Sequence, residues 1–130
     1  MKPKAKFTYT GGAKGVAAGG NILFNGVIAD DGIEYLEDGG IQLRVPGTYL
    51  VNASVTTIAT AAGTEAIQLY RDGVPSVGTL AEAEADATGD YTNMDFTDLV
   101  TVRPGSNGYA TIYIKAVNAT SIGSAIVTVV

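Results

Sequence analysis

Apolar and polar residues alternate with a period of two along most of this chain. Ile41, Leu43 and Val45 alternate with Gln42 and Arg44; after Pro46-Gly47, Tyr49, Val51, Ala53 and Val55 alternate with Asn52, Ser54 and Thr56. Alternation of this length belongs to half-buried strands, where successive side chains point to opposite faces. Pro46 presets φ and Gly47 tolerates φ > 0, so residues 40–55 read as two strands joined by a tight turn. The chain on either side repeats the pattern. Lys6–Thr10 reads as a short first or docking strand, Asn21–Asn25 as a short apolar strand and Ile33–Leu36 as another. Asp30-Asp31-Gly32 and Glu37–Gly40 are turns. Ala66–Arg71 forms a strand with Ile67 and Leu69 on one face. Asp72-Gly73 then gives a strong two-residue hairpin signal. Val74–Gly78 belongs at an edge or in a loop, because Pro75 cannot donate to a ladder.

Leu80–Ala87 sets propensity against pattern. Ala and Glu favour helix, but Ala81, Ala83, Ala85 and Ala87 alternate strictly with Glu82, Glu84 and Asp86. A helix would scatter the acids and a strand gathers them on one face, so the periodicity predicts a strand. Tyr91–Val102 is a long strand in which Asp98 shares a face with Met94, Phe96, Val100 and Val102. An unpaired buried carboxylate would be costly, so Asp98 must sit at a rim or accept a hydrogen bond. A loop at Arg103–Gly108, an alternating strand over Tyr109–Val117 and an apolar strand over Ser121–Val130 close the chain. About eight to ten strands with turns at roughly ten-residue spacing and no convincing helix predict an all-β antiparallel sandwich or barrel.

Composition narrows the chemistry. At 130 residues the chain is one domain, large enough for a core without staples. It has no Cys and no His, which removes disulfides, thiolate metal sites and the usual general base. No Ser-His-Asp triad can form, no pair of acids stands out as an acid/base couple, and neither Lys14 nor Lys115 is spaced to activate a serine, so no catalytic residue and no cofactor is assigned. Asp30-Asp31-Gly32 and Glu37-Asp38-Gly39 carry oxygen donors for a calcium ion but lack the EF-hand spacing, and ordinary turns account for them better. Asn52-Ala53-Ser54 and Asn118-Ala119-Thr120 match the N-glycosylation pattern; with no signal-peptide pattern at the start and Asn52 inside a strand, the match carries no weight. No run approaches the roughly 18 apolar residues of a membrane span.

Charge is unevenly placed. Lys2, Lys4, Lys6 and Lys14 give residues 1–29 a charge of +4, while residues 30–130 hold all 13 acids against Arg44, Arg71, Arg103 and Lys115, for −9. The acidic body argues against nucleic acid as the main partner. The basic, Gly-rich segment 1–20 reads as an attachment arm for an acidic surface or as a solvated terminus, and residues 21–130 as the sandwich proper. Tyr70, Tyr109 and Tyr113, among seven Tyr and no Trp, lie opposite the apolar stripes. Cross-strand packing on a solvent face and a subunit interface both suit such positions; their number and the apolar last strand favour an oligomer.

Four segments resemble the C1q/TNF-like jelly rolls. Val45–Val51 looks like the family's "pGtY.v" strand, Leu69–Pro75 like the "LyrnGvpvpgs" hairpin of its bacterial and phage members, Thr101–Gly105 like the segment after the long strand, and Ser124–Val130 like the last strand, which runs through the middle of the domain. The resemblance covers residues 21–130. It implies a ten-stranded sandwich assembled as a homotrimer, with Tyr70, Tyr109 and Tyr113 as interface candidates, in a non-enzymatic binding or display head. No Gly-X-Y tract is present, unlike the collagen-stalked members. The basic segment and the missing export pattern point, by analogy, to a phage head fibre or capsid decoration protein at the virion surface. Lys2, Lys4, Lys6 and Lys14 would then contact the capsid protein, and the outer surface would meet a host-surface or environmental glycan. The alternatives are a bacterial spore or cell-surface adhesion module and a glycan-binding or glycan-active β-sandwich.

Overall fold

The computed structural model describes residues 2–105 and 109–130. Their elements are β1 (Ala5–Tyr9), β2 (Lys14–Val16), β3 (Gly26–Ala29), β4 (Ile33–Tyr35), β5 (Ile41–Leu43), β6 (Gly47–Ile58), β7 (Gly63–Arg71), β8 (Val74–Pro75), β9 (Ala81–Ala85), β10 (Tyr91–Val102), β11 (Ala110–Ala116) and β12 (Thr120–Val129), with no helix among the described residues. The front sheet runs β10-β6-β12-β1-β3 with β2 on β12, and the back sheet runs β4-β5-β11-β7-β8 with β9 on β7. Every pairing is antiparallel. The architecture is the antiparallel sandwich that the alternation allows, in the jelly-roll form that the resemblance implies. Its twelve strands exceed the expected eight to ten because short pieces such as β2, β4 and β8 count separately.

The core is what the inward-facing alternate residues of the strands build together. From the front sheet come Phe7, Tyr49, Val51, Val55 and Val127; from the back come Ile41, Leu43, Ile67, Leu69, Ile112 and Ile114. β12 keeps its inward set by shifting register between Ile122 and Ser124. That bulge takes Gly123 out of step, so that Ile122 and Thr120 face inward again after Ala125, Val127 and Val129.

Three expectations are corrected. Residues 41–45 and 48–55 are not a hairpin: β5 pairs with β4 and β11, whereas β6 pairs with β10 and β12. Pro46-Gly47 is a crossing between sheets, with Gly47 at φ 147° and the fully buried Tyr49 donating its hydroxyl back to the Val45 carbonyl at 2.5 Å. Asn21–Asn25 is not a strand. It spans the sandwich from an isolated bridge between Asn21 and Lys115 to a bond from the Asn25 amide to the Thr8 carbonyl, burying Ile22 and Phe24 on the way. Finally, residue 20 is no structural boundary. β1 lies between β12 and β3, and β2 pairs with β12, so much of the basic segment is woven into the front sheet.

Elsewhere the local readings match. β9 is extended, with Glu82 and Glu84 exposed and Ala85 buried. Asp72 (φ 50°) and Gly73 (φ 84°) form the tight turn between β7 and β8. Asp98 is half-buried and accepts a hydrogen bond from Ser76 Oγ at 2.7 Å. The expected loop after Val102 begins with a turn at Pro104-Gly105, and residues 106–108 lie outside the described set.

Candidate binding surface

A sandwich buries one face of each sheet and presents the other, so the two outer faces are where function must be sought. On the front sheet, side chains that break the alternation stand out. Leu99 pairs with Leu50 across β10 and β6. Leu50 and Val130 exchange backbone hydrogen bonds at 2.7 and 3.0 Å. The three residues therefore form an apolar row across three strands, and they are respectively 65%, 40% and 39% exposed. Ile126 is also exposed and sits two rows further along, between Ser54 and, by register with β1, Thr8. Between these rows run Thr97, Asn52, Thr128 and Lys6 in register. The face is an apolar stripe set among hydroxyl and amide side chains, with Asp95 on β10 at one side and Lys6 on β1 toward the other.

Near the β3 edge this face sinks into a depression of about 260 Å³ lined by Lys4, Ala5, Lys6, Ile28, Asp30, Thr128 and Val130. Asp30 ties its rim: its carboxylate accepts the Lys4 amide at 3.0 Å and its own amide donates to the Lys4 carbonyl at 2.9 Å. Lys4 and Lys6 thus meet here. The other two lysines expected to act with them lie elsewhere. Lys2 donates to the Thr48 carbonyl and lies 5.2 Å from the Tyr49 ring centroid, and Lys14 lies 6.0 Å from that of Tyr9.

Of the three candidate tyrosines, Tyr70 and Tyr113 belong to the back sheet and Tyr109 stands just before β11. Tyr70 and Tyr113 pair directly across β7 and β11, with Lys115 Nζ 5.3 and 5.5 Å from their ring centroids. Lys115 also donates to Asn21 Oδ1 at 2.7 Å, and Tyr113 donates its hydroxyl to Asp38 at 2.9 Å. That bond to Asp38, with partial burial and the carboxylate's charge, raises the Tyr113 phenol above its ordinary value; burial alone raises that of Tyr49. Tyr109 stands 52% exposed beside the Arg44 guanidinium, 5.3 Å from ring centroid to carbon. These contacts form a polar, internally bonded surface rather than an apolar one.

Among the described residues no group of three or more acids could hold a metal ion. The most buried acid, Glu65 at 3% exposure, is bonded to the Thr120 hydroxyl at one end of the sandwich. It was legible in principle, since Glu65 shares its face with Ile67 and Leu69. Leu50, Leu99 and Ile126 were equally legible as apolar residues at polar positions of their strands.

No protein-family model and no curated protein sequence matches the chain. Solved structures do match. The globular domain of zebrafish complement 1qA superposes with a TM-score of 0.75 at 12% identity, over 99% of this chain and 96% of that one. Eiger TNF from S. frugiperda gives 0.73 at 10% identity, over 98% and 90%. Murine APRIL gives 0.69 at 13% identity, over 98% of both chains. The fold is therefore a C1q/TNF-like jelly roll, and β1 and β2 belong to it as much as the strands that follow.

Proposed function

We propose that this protein is a non-enzymatic, homotrimeric display head carried on the surface of a virion, as a head fibre or capsid decoration protein. The observation that carries the reading is the exposed row Leu50, Leu99 and Val130, with Ile126 beside it, on the front sheet. Contiguous apolar surface rimmed by polar residues marks an interaction site, and a closed ring of identical copies covers such a face on every subunit. The charge division supports attachment to an acidic capsid through Lys2, Lys4, Lys6 and Lys14, which leaves the −9 body facing outward.

Because β1 is an interior strand, deletion of residues 1–20 would unfold the head rather than detach it. The test is therefore made on intact particles. Gold-labelled antibody against this chain is expected to decorate the capsids of particles released from a culture carrying the gene, with repulsive Lys2→Glu and Lys14→Glu changes lowering the label. Label confined to the cell or spore surface would overturn the virion assignment.

A further inference from the structure

A heterologous ring needs two different patches that fit one another and sit at the same height along the ring axis. The front sheet and its β10 edge supply such a pair. At the β10 edge, the corner between β8 and β9 carries Val77, which at 96% is the most exposed large apolar side chain described, with Val74 and Leu80 also exposed. Ser76 pins this corner to β10 through Asp98, next to Leu99. At the other side of the same sheet lies the depression, with Ile28 (70% exposed) and Val130 among its walls and the basic Lys4 and Lys6 beside them. The strand register sets their heights. Leu99 pairs with Leu50, which is bonded to Val130, so corner and depression stand level across the sheet.

Charge is complementary at the same two places. Asp95, exposed on β10, lies in the row of Ser54 and Ile126; Lys6 lies in the adjacent row with Thr128 and Asn52. Adjacent rows on one face are two residues, or about 7 Å, apart, a gap that a lysine stem spans. Exposed acids on β9, Glu82 and Glu84, give the β10 side the opposite sign from the depression.

We propose that the depression of one copy receives the β8–β9 corner of the next, Val77 seating against Ile28 and Val130 while Asp95 pairs with Lys6. The proposal rests on the self-association reading above and assigns its contact residues. It gives Lys6 of β1 a role between subunits.

The test is a charge swap read by sedimentation equilibrium of the full chain, together with Val77→Asp. All three sites are exposed, so the fold tolerates the changes. Lys6→Glu or Asp95→Lys alone places like charges in contact and is expected to raise the midpoint dissociation concentration at least tenfold. Combining the two is expected to return it to within about threefold of the wild type, and Val77→Asp to dissociate the trimer outright. A wild-type trimer that neither single change weakens, or that the double change fails to rescue, overturns this contact and leaves self-association standing. A wild-type monomer overturns both.

Discussion

Phe7→Ala asks whether the basic N-terminal segment is part of the folded body. The ring is fully buried, 6.0 Å from that of Phe24 and 5.6 Å from that of Tyr35, centroid to centroid. Truncation removes its apolar burial and leaves a cavity between the sheets, a loss of about 3–5 kcal/mol for a Phe in a core, which includes ring–ring contacts worth roughly 0.5–1.5 kcal/mol each. That is a large share of the roughly 5–15 kcal/mol that separates a folded domain from its unfolded chain. With an unfolding entropy of about 2.1 cal/mol/K per residue over 130 residues, a loss of 4 kcal/mol lowers Tm by about 15 °C. The assay is thermal and urea unfolding followed by circular dichroism, at equal protomer concentration because association stabilises by mass action. Thr10→Ala, at an exposed position just past β1 and outside the proposed subunit contact, serves as control and is expected to stay within about 0.5 kcal/mol. A Phe7→Ala loss below about 1 kcal/mol would instead mean that β1 is a detachable arm and no part of the folded body.

Other consequences can be checked by the same methods. Thr79 is 1% exposed; its hydroxyl accepts the Leu69 amide at 3.2 Å and donates to the Ser76 carbonyl at 2.8 Å. Thr79→Val leaves that amide unpaired and is expected to cost about 1–3 kcal/mol, while Thr79→Ser keeps the bonds and costs less. Gly73→Ala meets nothing within 4 Å, so its expected cost of roughly 1–2 kcal/mol in urea unfolding is purely the left-handed backbone. The Tyr113 phenol is held neutral by Asp38, so its folded pKa lies above its unfolded value near 10. Its contribution to stability is complete below that value and is lost as pH rises through the folded pKa. Asp38→Asn should shift one phenol of the ultraviolet tyrosine titration to lower pH, and an unchanged titration would refute the assignment.

Two-residue alternation tells which side of a strand faces the core, and here it did so well. It identified β6, β10, β11 and β12, and it overruled the helical propensity of Ala81–Ala85 correctly because Glu82 and Glu84 need the same solvent face. It cannot tell which sheet a strand joins, since both sheets of a sandwich face one core. That is why β5 and β6 read as a hairpin although Pro46-Gly47 carries the chain from back to front. Asn21–Asn25 misled for a related reason: Ile22 and Phe24 alternate as in a strand while the segment crosses between sheets, its polar backbone satisfied by Ile114 and the Tyr35 hydroxyl. The candidate surface was harder to see. Tyr70 and Tyr113 lie opposite the apolar stripes, yet Lys115 and Asp38 engage them on the back sheet. The apolar residues in outward register, Leu50, Leu99 and Ile126, were visible as breaks in the pattern, but their meeting depends on strand order, which no local pattern encodes.

The front face must be covered by other copies of the same chain. Mass by multi-angle light scattering at micromolar concentration addresses this directly. Three times the 13.3 kDa chain mass is the predicted result. A species that stays at 13.3 kDa at every concentration tested would contradict it.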